Sequence, residues 1–183
     1  GRGGVVRDSV LKELAAQRAD VRLVLDVWEN EPSIDSELIQ LADIATPHIA
    51  GYSLDGKRNG LEQIRRRLIQ YFDLQAIAEI NWGEADGDKL HIPIGQVLAE
   101  HSEVDSDSKL AALRAAMLAC YDLRRDDKAL RNALLGSLGT GGAQEARDKA
   151  FDRLRKEYPE RREISCYQLT DTAQLNVEQR DVL

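Results

Sequence analysis

Cysteine is nearly missing from this sequence. Cys120 and Cys166 are the only two, and their separation matches no metal-ligand spacing, so no metal site is expected and a disulfide framework is excluded. They read as two reduced, buried thiols of a cytoplasmic protein. Long apolar runs are also absent, which removes a membrane-spanning helix. An excess of positive charge is absent too: 25 Lys and Arg stand against 32 Asp and Glu, a formal charge of −7. Such a surface has no overall electrostatic reason to bind nucleic acid. Methionine occurs once, as Met117, residue 1 is Gly, and nothing resembles a signal peptide. The opening Gly1-Arg2-Gly3-Gly4-Val5-Val6 reads as a loop in progress, so the chain is expected to begin inside a longer protein. What is present is ordinary for a globular protein: 183 residues, 43% hydrophobic and 31% charged. That length suffices for one domain, or for part of one plus a smaller one.

The periodicity changes along the chain. Val10, Leu11 and Leu14 recur at helical spacing within residues 5–19, with Asp8 and Ser9 as candidate caps. Val21-Arg22-Leu23-Val24-Leu25-Asp26-Val27-Trp28 reads as a strand of a covered parallel sheet. A short helix is predicted over 36–41 and a clipped strand at Asp43-Ile44-Ala45-Thr46. This alternation argues for an open α/β sheet with helices on its faces. Pro47 ends the strand, and His48-Ile49-Ala50-Gly51-Tyr52 becomes a loop at its C-terminal end, where open α/β sheets place ligands. A helix capped by Ser53 or Asp55 is predicted over 54–79, with Leu61, Ile64, Leu68, Tyr71 and Phe72 as its apolar stripe. The polar run Asn81–Asp88 marks a domain boundary. Beyond it, Leu90–Ile94 reads as an edge strand around Pro93, helices are predicted at 107–121, 126–136 and 143–157, and Glu163–Leu169 reads as a last strand.

Three side chains stand out as candidates for chemistry. An imidazole exchanges protons in the working pH range, and a carboxylate beside it fixes its tautomer. A guanidinium grips a carboxylate with two hydrogen bonds. His48, Glu31 and Arg2 offer these groups, each in a loop next to a predicted strand. Taken singly, each also has a structural explanation: a hydrogen-bonded loop histidine, a solvated turn residue and a surface charge.

Three segments resemble successive signatures of the D-2-hydroxyacid dehydrogenases: Gly1-Arg2-Gly3-Gly4-Val5-Val6, Leu25-Asp26-Val27-Trp28-Glu29-Asn30-Glu31-Pro32 and Thr46-Pro47-His48-Ile49-Ala50-Gly51. Glu31 follows Arg2 by 29 positions and His48 follows Glu31 by 17, as the resemblance requires. It implies Arg2 as substrate-carboxylate binder, His48 as acid/base and Glu31 as its orienting partner. It further implies that Asp26 contacts the nicotinamide end of NAD and that Gly51 lies against the cofactor. The alternative for Asp26 is a strand-end residue that caps neighbouring amides. Ala50-Gly51-Tyr52-Ser53-Leu54-Asp55-Gly56-Lys57, Tyr121–Asp127 and Phe151–Glu163 are similar to one branch of that family, the erythronate-4-phosphate dehydrogenases. There the tyrosine, here Tyr52, contacts substrate, and a C-terminal domain makes the homodimer. Tyr52 packing at a helix start is the alternative.

The resemblance implies a fold in three parts. Residues 1–50 are expected to be the C-terminal part of a Rossmann-type NAD-binding domain. Residues 51–80 form a helix returning to the substrate domain, and 81–183 a small α+β dimerisation domain. The implied reaction is oxidation of 4-phospho-D-erythronate to 2-oxo-3-hydroxy-4-phosphobutanoate with NAD, in vitamin B6 biosynthesis. The rivals are a dehydrogenase of 3-phosphoglycerate or of glyoxylate and hydroxypyruvate, and a non-catalytic NAD-binding protein of the same fold. The glycine-rich dinucleotide fingerprint is not in this sequence; Gly139-Thr140-Gly141-Gly142 has no preceding strand and does not replace it. This chain by itself is therefore expected to be inactive. Arg153, Arg155, Lys156, Arg161 and Arg162 are candidates for binding the substrate phosphate, but they alternate with Asp152, Glu157, Glu160 and Glu163, which favours a salt-bridged, solvated face.

Overall fold

The computed structural model describes residues 1–74, 90–100, 108–136 and 144–180. The boundary at Asn81–Asp88 and the Gly139–Gly142 loop lie outside the described residues, as does the end of the helix expected to reach residue 79. The described residues form a mixed α/β structure, mostly helical, with two small parallel sheets. It divides into two compact units: residues 1–52 with 123–159, and residues 53–122 with 160–183. This grouping is not the sequential partition at residues 50 and 80, since 123–159 cluster with the N-terminal segment.

In the first unit, α1 (Asp8–Gln17) leads to β1 (Val24–Leu25), α2 (Ser36–Leu41) and β2 (Ile44–Ala45). Helix α1 is shorter than the apolar pattern suggested, and neither proposed cap is used: Arg7 occupies the cap position without a side-chain bond, and Asp8 is the first helical residue. Asp8 is instead buried, exchanging backbone and side-chain bonds with Glu29. Burial pushes its carboxyl above the ordinary value. Helix α2 spans the expected residues because Asp35 accepts from the amides of Glu37 and Leu38, satisfying two of the free N–H groups at its start. The β1 and β2 strands pair in parallel, Val24 opposite Ile44 and Leu25 opposite Ala45. Each is clipped to two residues; beyond them side chains take over the bonding, as where the Asp43 carboxylate accepts from the Leu23 amide.

Helices α6 (Leu123–Leu135) and α7 (Gln144–Lys156), named in chain order with those of the second unit below, complete the core. Leu130, Leu134, Ala150 and Phe151 pack with Leu23, Trp28, Ile34, Leu38, Ile39, Ala42 and Ala45. Two side chains of α6 bond neighbouring elements: Asp127 accepts from the Ala45 amide of β2 at 2.8 Å, and Arg131 donates to the carbonyls of Ile39 and Ala42 at the C-terminal end of α2. One strand amide and two carbonyls at a helix end thereby find partners.

The second unit holds α3 (Leu54–Phe72), β3 (Leu90–Pro93), α4 (Ile94–Glu100), α5 (Ser108–Cys120), β4 (Tyr167–Thr170) and the short α8 (Val177–Arg180). Strands β3 and β4 pair in parallel from Leu90–Tyr167 to Pro93–Thr170. The strand around Pro93 is thus real, and among the described residues its sheet has two strands, so proline costs no interior ladder bond there. Ile94, Ala116 and Leu175 form a small core with Val97, Leu98 and Leu169 against it. Ser53 caps α3 by accepting from the Gly56 amide, and its hydroxyl also bonds the Glu163 carboxylate. Asp55 accepts from the Arg162 guanidinium and the Glu163 amide, tying the start of α3 to the segment before β4. The apolar stripe of α3 faces outward: Leu61, Ile64, Leu68, Tyr71 and Phe72 are between 47% and 82% exposed. Among the described residues no helix is long and apolar enough to cross a membrane.

Candidate active site

Two parallel strands ending side by side place their outgoing loops next to each other, and the first unit uses this. Asp26 leaves β1 and Thr46 leaves β2, one residue beyond the last paired positions. The Asp26 carboxylate binds across the gap, accepting from the Thr46 hydroxyl at 2.7 Å, the Ile49 amide at 2.8 Å and the Ala50 amide at 3.1 Å. Trp28, 1% exposed, donates its indole N–H to the Thr46 carbonyl. Between these anchors His48 adopts a left-handed backbone, with φ of 56°. A non-glycine residue held there is strained and persists only where its surroundings fix it; the Asp26 clamp on the next two amides is that fixture.

Glu31 is held from the other loop. Its Oε1 accepts from the Trp28 amide at 2.9 Å, and its Oε2 lies 2.8 Å from Nδ1 of His48. Asn30, just before it, is also left-handed, with φ of 60°. With Nδ1 donating to Glu31, the imidazole presents Nε2 as the atom that exchanges a proton. The carboxylate is mostly buried and the imidazole is 30% exposed, so the pair is fixed on one side and reachable on the other.

Arg2 lies on the adjoining segment. Backbone contact places it there: a Cβ at Gly3 would stand 2.1 Å from the Trp28 carbonyl oxygen, and one at Gly1 would touch the Val27 side chain. Only glycine permits this approach at residue 3. The Arg2 side chain itself is exposed. The structure thus joins Glu31 to His48 directly and leaves Arg2 beside the loop of Glu31.

The remaining candidates sort clearly. Asp26 acts as the amide cap named as its alternative role. Gly51 is exposed, and a Cβ there would meet nothing within 4 Å. Tyr52 packs edge-on against Tyr158, ring centroids 6.0 Å apart, and Tyr158 donates its hydroxyl to Asp126. The basic residues take different partners. Lys156 pairs with Asp152 at 3.9 Å in the expected manner, but Arg162 joins Asp55, Arg161 stacks over Tyr121, and Arg155 reaches within 3.9 Å of Glu31. Both cysteines are free and half-buried rather than fully buried; burial raises the Cys120 thiol. The roles of Asp127, Arg131 and Arg155 escaped the sequence reading. The i,i+4 spacing of Asp127 and Arg131 announced a pair, but not that it would turn toward β2 and the end of α2.

A clamped, left-handed histidine with a mostly buried carboxylate on its inner nitrogen thus stands where two parallel strands end. The chain is similar to curated proteins that share one name. Erythronate-4-phosphate dehydrogenase of Pseudomonas fluorescens (strain Pf0-1) is 43% identical over 163 residues, covering 89% of this chain and 39% of that protein. The enzyme of the same name from Ectopseudomonas mendocina (strain ymp) is 43% identical with the same coverage, and that of Marinobacter nauticus is 41% identical over 165 residues. The chain therefore spans about two-fifths of the length of these curated relatives. Residues 95–182 match a family described as a domain of unknown function, DUF3410.

Proposed function

We propose that this chain is the C-terminal portion of an NAD-dependent erythronate-4-phosphate dehydrogenase that oxidises 4-phospho-D-erythronate to 2-oxo-3-hydroxy-4-phosphobutanoate in vitamin B6 biosynthesis, in the cytoplasm. The observation that carries the reading is the 2.8 Å contact between Glu31 and His48, in loops whose sequences match the dehydrogenase signatures. The homology to proteins of that name supports the substrate over 3-phosphoglycerate or glyoxylate.

In this reading His48 takes the hydroxyl proton at Nε2 while Glu31 stabilises the imidazolium that forms. Arg2 pairs with the substrate carboxylate through its exposed guanidinium. NAD, when bound, supplies the hydride acceptor. The residues fit that group in one respect visible here: among the described residues, the chain neighbours aside, nothing lies within 4 Å of where a side chain at Gly51 would begin, which leaves room for a cofactor to approach. Asp26 keeps an acceptor position for it, since three bonds do not exhaust a carboxylate. Tyr52 follows as a substrate contact. The uncovered stripe of α3 is the face expected to pack on the substrate domain, and 81–183 to form the homodimer. The 183-residue chain alone is inactive in this account, because the dinucleotide fingerprint lies outside it.

The test is NADH production by a protein of the relatives' length that carries this chain. Erythronate 4-phosphate should be oxidised in preference to 3-phosphoglycerate or glycerate. A preference for another 2-hydroxy acid overturns the substrate, and no reduction of NAD with any of them favours the non-catalytic reading.

A further inference from the structure

We propose that Arg155 is a positioning residue of this site: its guanidinium, delivered by α7, weakens the hold of Glu31 on the charged form of His48. Arg155 stands 124 positions after Glu31 in the sequence, yet its Nη1 lies 3.9 Å from Glu31 Oε2. That oxygen is the one bonded to His48 Nδ1. One carboxylate oxygen therefore faces two cations when His48 is protonated, and one when it is not.

The arrangement is poor as a stabilising salt bridge. The separation is long, and ion pairs of this kind contribute little to folding. Nor is the guanidinium placed there by a bond of its own at the inner end: Arg155 Nε is buried without a hydrogen-bond partner among the described residues. Its Cζ rests 5.9 Å from the Phe151 ring centroid, and Phe151 is fully buried in the core. A buried donor left unpaired is costly, so the position opposes stability locally. What it does supply is a fixed positive charge one hydrogen bond away from the imidazole.

Other charged groups near the pair have partners or counter-charges of their own. Asp26 is spent on the Thr46 hydroxyl and the Ile49 and Ala50 amides. Beside Pro47, a cavity of about 260 Å³ is lined by Arg125 and Arg153 together with Asp126 and Glu157. On the Glu31 loop, Glu29 is engaged with Asp8, and Asp148 of α7 with Ser33. Among the described residues, Arg155 is the Arg or Lys that comes within 4 Å of Glu31. An acid/base histidine works best when it is neither fully protonated nor fully neutral at the operating pH. The Glu31 oxygen that faces the imidazole also faces the Arg155 guanidinium, so the two cationic groups compete for one carboxylate oxygen.

The inference rests on His48 being the acid/base group, but its test does not require turnover. Titrating the His48 ring signals by NMR in the 183-residue chain compares Arg155→Met and Arg155→Lys with the unsubstituted protein. The Met variant should raise the His48 midpoint by about half a pH unit to one unit, the scale expected for removing one charge at this range in a partly screened setting. The Lys variant, which keeps the charge, should move it by less than half as much. No shift in the Met variant overturns the proposal. Equal shifts in both also overturn it, because they report lost packing on Phe151 and not lost charge. A shift in the Met variant alone, with an inactive longer protein, leaves the charge coupling standing and sinks the proposed function instead.

Discussion

Each of the two compact units relies on an aspartate that clamps backbone amides across a long sequence gap, and the two clamps hold different things. Asp26 in the first unit binds Thr46, Ile49 and Ala50 and fixes a loop whose central residue, His48, faces outward in a strained conformation. Asp55 in the second binds Arg162 and the Glu163 amide and fixes a helix start, with Ser53 and Glu163 beside it. The partners differ, a hydroxyl and two amides for Asp26 against a guanidinium and one amide for Asp55, and so does burial, Asp26 being half-buried and Asp55 buried. One clamped segment presents an imidazole and the other closes a hydrogen-bonded junction.

The contrast is broken most forcefully by removing the core beneath the first clamp. Phe151, on α7, is fully buried in the core of the first unit, and Phe151→Ala should destabilise that unit by about 3–5 kcal/mol. Hydrogen exchange should show protection falling across 1–52 and 123–159 more than across 108–120; uniform loss would mean the units unfold as one.

Next in size is the second clamp. The Arg162 guanidinium holds the Asp55 carboxyl at about 2, below the ordinary value. The sign follows directly: a depressed carboxylate contributes stability that is complete above its unfolded value near 4 and is lost as pH falls toward 2. Asp55→Asn should cost on the order of 2 kcal/mol at neutral pH and flatten the acid limb of the unfolding midpoint against pH. An unchanged acid limb would show that the pair contributes nothing to folding.

Asp26→Asn sharpens the comparison at the first clamp. An amide keeps only one acceptor oxygen where the carboxylate uses two, so about 1–2 kcal/mol should be lost, with His48 ring signals broadened or shifted. An unmoved His48 spectrum would mean that Asp26 does not hold the loop. The smallest effect is expected on the exposed α3 stripe, where Ile64→Ser in this chain should change the melting free energy by about 0.5 kcal/mol or less. A large loss would show that the stripe is covered after all.

How much of this was readable from the chain depends on the range of the interaction. Helix α2, the β3 strand around Pro93 and the helices near 126–136 and 143–157 follow from apolar period and turn residues, which are local. The Glu31–His48 pair was legible because a motif match brought its spacing with it. Asp127 at the Ala45 amide and Arg155 at Glu31 were not, since each meets its partner across more than 80 residues and neither carries a local signature. The α3 stripe shows the opposite failure: periodicity identified an apolar face correctly and could not say whether this chain contains what covers it. Strand lengths were overread for a related reason, since Val21–Trp28 has the composition of a covered strand but pairs over two residues only.

The central claim is that His48, held by Glu31, moves the proton of an oxidised hydroxyl. Its most direct test is kcat for erythronate 4-phosphate in a protein of the relatives' length bearing His48→Gln, alongside the parent. A loss of roughly 10²–10⁴-fold is predicted, the range associated with removing a general acid–base. A variant that turns over at close to the parental rate would contradict the account.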